Sequence, residues 1–131
     1  MGAGVLNTYR ELLPLTSETP MITMGEGDTP LVKSNRLGRT LDCPELYFKL
    51  EGCNPTGSFK DRGMVVAIAK ALEEDTRAIM CASTGNTSAS AAAFGAYCDI
   101  PTFVLIPKGE VAMGKLAQAM IYGAKVIMIN G

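Results

Sequence analysis

The chain has 131 residues, 47% hydrophobic and 19% charged, with a net charge of −1 and a pI near 5.4. That length allows one domain with a buried core, and the slightly acidic balance points away from nucleic acid and anionic membrane surfaces as partners. With no histidine, and with Cys43, Cys53, Cys81 and Cys98 never in a CxxC spacing, a His-based triad is excluded and no zinc or haem signature is present, so no metal site is expected.

Apolar runs are strand-sized, too short to cross a bilayer. The opening MGAGVLNTYRELLP lacks the basic-then-apolar order of a signal peptide. A cytoplasmic protein with reduced cysteines is expected. Residues 1–44 read as irregular. A short helix is predicted over 9–13, stopped by Pro14, and a glycine-rich turn over 25–33 (GEGDTPLVK) enters a short apolar run. A second short helix is predicted over 34–41, with Leu37 and Leu41 on one face.

From residue 45 the pattern is regular. LYFKL (46–50) is strand-like, and 58–74 is helical, with Met64, Ile68 and Leu72 spaced at i, i+4, i+8 and Val65 beside them. AIMCA (78–82) is a second strand and 87–98 an alanine-rich helix. TFVLI (102–106) is a third strand. A helix over 111–122 carries Met113, Leu116, Ala117 and Met120 on one side and ends at Gly123, and KVIMI (125–129) is a fourth strand. Continuous apolar strands alternating with helices predict an α/β fold: a small open parallel four-stranded sheet with helices on both faces, preceded by an irregular N-terminal segment. The expected division is 1–44 and 45–131. Ligands of such sheets bind beyond the strands' carboxyl ends.

Two loops in that position carry candidate chemistry. In EGCNPTGSFKDRG (51–63), Pro55 and Gly57 make a turn, and Ser58 and Asp61 have capping-box spacing. Lys60 then falls in the first helical turn, where a cation is disfavoured by about 0.3–1 kcal/mol. That is too little to activate a nucleophilic lysine alone, so burial or a bound cofactor must supply the rest. By spacing alone Lys60 reads equally as a solvated surface lysine. The second loop, STGNTSAS (83–90), sets Ser83, Thr84, Asn86, Thr87 and Ser88 around a helix N-terminus. This is an anion cradle sized for a carboxylate or phosphate, or else a well-capped helix whose small residues permit close packing. It is neither a Walker loop nor GxGxxG.

The motif EGCNPTGSFKDRG resembles the pyridoxal-phosphate lysine motif of the tryptophan-synthase-β-like superfamily, and its NPTGSFKDR form looks most like the threonine synthases. GEGDTPL (25–31), STGNT (83–87), KLAQA (115–119) and GAK (123–125) agree with that resemblance. It implies that Lys60 holds pyridoxal 5'-phosphate as a Schiff base. Phe59 would then lie against the cofactor ring and Asn86 would hydrogen-bond its ring hydroxyl. Ser83, Thr84, Asn86 and Thr87 would take the substrate α-carboxylate. The implied reaction converts O-phosphohomoserine and water into threonine and phosphate, with Lys60 shuttling protons, in an enzyme that is a homodimer at full length. Related members such as threonine dehydratase or cysteate synthase share both loops in kind. A non-catalytic α/β module for small anions is the reading from a different class.

Members of that superfamily are far longer. Their glycine-rich grip on the cofactor phosphate lies downstream of the region matched here. The chain therefore reads as an N-terminal part, expected to bind cofactor weakly and turn over little alone. Its residues 1–44 would pack on a large domain. Lys108 and Lys115 could reach a substrate phosphate, although ordinary surface charge is the preferred reading of both.

Overall fold

The computed structural model describes residues 3–108 and 113–130. The chain opens with a short helix, α1 (Gly4–Thr8), and a 3-10 turn at Arg10–Leu12. The short helix expected over 9–13 is this 3-10 turn, and α1 precedes it, where Val5 and Leu6 find a core. Strand β1 (Leu31–Lys33), helix α2 (Asn35–Thr40) and strand β2 (Tyr47–Lys49) follow, then a 3-10 turn at Glu51–Cys53. The regular part comprises α3 (Lys60–Glu73), β3 (Ile79–Ala82), α4 (Asn86–Tyr97), β4 (Thr102–Pro107), α5 (Met113–Ile121) and β5 (Lys125–Ile129). The first two residues of the helix expected over 111–122 lie outside the described residues.

The sheet departs from expectation in two ways. The strand-like run 46–50 is β2, but it pairs antiparallel with β1, Leu31 opposite Lys49 and Lys33 opposite Tyr47. The parallel sheet therefore has three strands rather than four, in the order β3-β4-β5. Periodicity identifies a strand but not its partner. The described helices also pack on one face of this sheet rather than on both. The strands advance in a single direction, so two crossovers of the same hand put α4 and α5 on the same side. Ala92 of α4 and Leu116 and Ala119 of α5 cluster there with Val104 and Ile106. On the other face Met80 and Ile127 are exposed and Phe103 and Leu105 half-buried. On α5, Leu116 and Ala119 form the buried side, while Ala117 and Met120 are exposed.

Helix α4 is the centre of the packing. Every residue from 88 to 95 is buried, as expected of a helix enclosed on all sides. Its small side chains let α3, α5 and the sheet approach together. Gly95 marks the tightest point, since a Cβ there would lie 2.0 Å from Thr102 Oγ1. Helix α3 turns Val65, Ile68 and Ala69 onto α4, where they meet Phe94, Ile100, Val5 and Leu6. Burying side chains such as Leu6, Val65 and Phe94 contributes roughly 1.5–3 kcal/mol each. The N-terminal segment is further fastened to α3 where Thr16 and Thr19 donate to the Glu73 carboxylate.

Four helices end in the same way. The residue after the cap is left-handed: Asp42, Asp75, Asp99 and Gly123 follow α2, α3, α4 and α5. In each case two backbone bonds close the end, as in Thr76 N–H to Ala71 O at 2.9 Å and Asp75 N–H to Leu72 O at 3.1 Å. This is the Schellman arrangement. Only Gly123 advertises it by residue type, while aspartate tolerates the same conformation at three other ends.

Candidate active site

Lys60 is the first residue of α3. The turn leading to it is held by side chains, though not as the capping-box spacing implies. Ser58 Oγ accepts from the Lys60 N–H at 3.3 Å. Asp61 reaches past Ser58 to Thr56, accepting its N–H at 2.7 Å and its hydroxyl at 2.6 Å. Asp61 is fully buried, and it also accepts the Ser90 hydroxyl from α4 at 2.6 Å. A carboxylate at the start of a helix is favoured by the helix dipole. Among the described residues it forms no salt bridge with a lysine or arginine, so three neutral donors satisfy it.

The Lys60 amine lies over the Phe59 ring, 4.5 Å from its centroid, and Phe59 itself is 55% exposed. Among the described residues no carboxylate pairs with Lys60 Nζ. Asn86 is the first residue of α4 and is exposed, and Ser83, Thr84 and Thr87 are half-buried. Ser83 Oγ accepts the Gly85 N–H at 3.2 Å, and the Ser88 hydroxyl donates to Gly85 O at 2.7 Å. No side chain caps α4. Its end is thus an open set of backbone donors, suited to a carboxylate or phosphate.

The lysine loop and this helix start do not meet by leaving one sheet, as the sequence pattern suggests, because β2 stands outside the parallel sheet. They meet because α3 packs on α4. The Asp61–Ser90 bond presses the first turn of α3 against α4, one helical turn from Asn86. An apolar groove of about 330 Å³ runs between α3, β3 and α4, lined by Met64, Ile68, Cys81, Thr87 and Ala91 among others.

Several side chains brace the lysine loop, and of these the sequence had singled out Lys115 alone. Arg62 holds Glu51 with two bonds, Nε to Oε2 at 2.8 Å and a terminal nitrogen to Oε1 at 2.9 Å. Thr29 donates to the same carboxylate at 2.7 Å and Asn54 at 3.0 Å, while Asn54 Oδ1 accepts the Gly27 N–H at 3.0 Å. This joins the GEGDTP loop to the lysine loop. Lys115, half-buried on α5, donates to Thr56 O at 3.4 Å and to Gln118 Oε1 at 3.1 Å, and Gln118 donates to Thr56 O at 3.3 Å. Lys108 is exposed. An arginine two residues after the lysine and an acid at the head of the loop were the available signals for the Glu51 pair.

The Arg62 guanidinium draws the Glu51 carboxyl from its ordinary 4.5 down to about 2, against a smaller opposing effect of burial. A depressed folded value stabilises the protein above the unfolded value, and the contribution is lost as pH falls from 4.5 through about 2. Glu51→Gln is expected to shrink the difference in stability between about pH 6 and about pH 3 relative to the parent. Urea unfolding at the two pH values measures it, and an undiminished difference would refute the assignment.

These features fit a carbonyl cofactor with an anionic substrate. The amine has no carboxylate partner among the described residues, an exposed amide starts the adjacent helix, and that helix start is open. The sequence pattern of the family described as "Pyridoxal-phosphate dependent enzyme" matches residues 22–131, and the chain belongs to that family. Within it, the chain is 57% identical over 98% of its length to a threonine synthase of Halalkalibacterium halodurans, and 53% identical over all of it to a threonine synthase of Bacillus sp. (strain ULM1). It spans 36% and 37% of those relatives. Among solved structures, maize serine racemase superposes with a TM-score of 0.76 over 99% of this chain and 37% of its own, at 24% identity, a likeness of fold.

Proposed function

We propose that the chain is the lysine-bearing part of a threonine synthase that takes O-phosphohomoserine and water to threonine and phosphate. The observation that carries the proposal is the junction of α3 and α4, where Asp61, next to Lys60 at the head of α3, is bonded to Ser90, one helical turn from the open start of α4. The two threonine synthase relatives, matched over nearly the whole chain, support the choice of reaction. Pyridoxal phosphate supplies an electron sink for carbanion chemistry.

The chain's own groups divide the remaining work. Lys60 Nζ would hold the cofactor and, once displaced from it by the substrate's amino group, would take and return protons at substrate Cα and Cβ. Phe59 would flank the cofactor ring and Asn86 would donate to its hydroxyl. Ser83, Thr84, Asn86 and Thr87, with the backbone donors of α4, bind the α-carboxylate. Lys115 serves the loop rather than the substrate phosphate, because its amine is directed to Thr56 O and Gln118.

The division into 1–44 and 45–131 belongs to the same proposal. Leu31, Val32, Leu37, Leu41, Tyr47 and Phe48 are exposed, a surface a large domain would cover, whereas Val5 and Leu6 already lie in the α3–α4 core. The proposal also includes a homodimer at full length and a cytoplasmic location. No described helix is long and apolar enough to cross a membrane.

The test is a chimaera in which residues 1–131 replace the matching part of the Halalkalibacterium halodurans relative. It is expected to form threonine from O-phosphohomoserine and to leave threonine and serine undeaminated. Deamination of threonine without threonine formation would favour a dehydratase instead.

A further inference from the structure

Asp61 and Ser90 belong to neither loop's expected chemistry. Both are fully buried, and they bond to each other across the α3–α4 interface. Thr56 is the third member: its N–H and hydroxyl go to Asp61, and its carbonyl receives Lys115 and Gln118 of α5. The backbone of one residue, four before Lys60, is thereby held from α3 and α5 at once, and the Asp61 that holds it is itself held from α4.

We propose that Thr56, Asp61 and Ser90 form a positioning relay that sets Lys60 relative to Asn86. The inference rests on the reading of Lys60 and Asn86 as cofactor residues. Its physical basis is the shortness of the path: Lys60 is adjacent to Asp61, Asp61 is bonded to Ser90, and Ser90 stands one helical turn from Asn86. Each step is either covalent or a bond at 2.6 Å inside a dry contact. A buried network that is fully satisfied holds one geometry, because any shift strands a donor. The hydroxyls of Thr56 and Ser90 both donate to Asp61 Oδ1, leaving Oδ2 for the Thr56 N–H. Loss of the Ser90 hydroxyl removes the bond between α3 and α4, and loss of the Thr56 hydroxyl leaves Oδ1 with one donor, so that Asp61 is set less firmly.

The test uses the chimaera with Ser90→Ala, Thr56→Val and Thr56→Ser, and Thr102→Val as a control. Thr102 is buried on the sheet side of α4, and among the described residues its hydroxyl bonds only to Ile100 O. Each variant is treated with pyridoxal phosphate and borohydride, and the pyridoxyl label on Lys60 is quantified by peptide mapping alongside kcat, KM and Tm. Ser90→Ala and Thr56→Val are expected to lower kcat by about tenfold or more, with reduced Lys60 label and little change in KM. Thr56→Ser, which keeps the hydroxyl, recovers both, and Thr102→Val lowers Tm alone. Unchanged kcat and label in Ser90→Ala and Thr56→Val would overturn the relay, whatever their Tm, and so would a Thr56→Ser variant as impaired as Thr56→Val. If the parent chimaera itself carries no label on Lys60, the reading of the site fails, separately from the relay.

Discussion

Replacing Lys60 by alanine in the chimaera is expected to lower threonine formation by about 10²–10⁴-fold, the range for loss of a positioned proton carrier. The same change should leave the fold intact. The Lys60 side chain forms no salt bridge among the described residues and is only half-buried. Alanine is the better helix former, and removing a cation from the first turn relieves the helix dipole. Against that stands the contact with the Phe59 ring, worth about 0.5–1 kcal/mol at an exposed site. Stability should therefore change by less than about 1 kcal/mol while activity collapses. Paired assays of turnover and urea unfolding separate the two, and a variant that keeps parental turnover would remove Lys60 from the chemistry.

The second large effect is on stability. Asp61→Ala removes the acceptor of three buried hydrogen bonds. The hydroxyls of Thr56 and Ser90 can rotate toward other acceptors, but the Thr56 N–H cannot. An unsatisfied buried donor, together with lost bonds to a charged group, should cost about 3 kcal/mol. Asp61→Asn should cost less, since Oδ1 can still accept the Thr56 N–H while the amide donates to a hydroxyl. The urea midpoint at unchanged slope measures the loss. A midpoint for Asp61→Ala equal to that of the parent would show that the network adds nothing to the fold.

Much of the regular half was legible. The apolar spacing of Met64, Ile68 and Leu72 identified α3, because helical periodicity follows directly from side-chain direction, and the continuous runs at 78–82 and 102–106 identified β3 and β4. The partner of β2 was not legible, since pairing with Leu31–Lys33 depends on how the chain returns, and a three-residue exposed ladder has no pattern of its own. The face covered by helices depends on strand order, which the alternation of elements leaves open. Helix ends at Asp75 and Asp99 were hidden because left-handed aspartates look like ordinary surface acids. At the site, Lys60 and Asn86 stood out as residues at helix starts. Ser90 did not, because a serine among alanines reads as one more small packing residue. Asp61 was noticed for the wrong partner: the three-residue spacing suggested Ser58, whereas the fold supplied Thr56 and Ser90. The bonds that matter most there are tertiary, and they are decided by the packing of α3 on α4.

The measurement that bears most directly on the account is borohydride reduction of the 131-residue chain with pyridoxal phosphate, followed by peptide mapping. The account predicts a pyridoxyl group concentrated on Lys60. Label spread evenly over the chain's lysines, with Lys60 no more modified than Lys108 or Lys125, would contradict it.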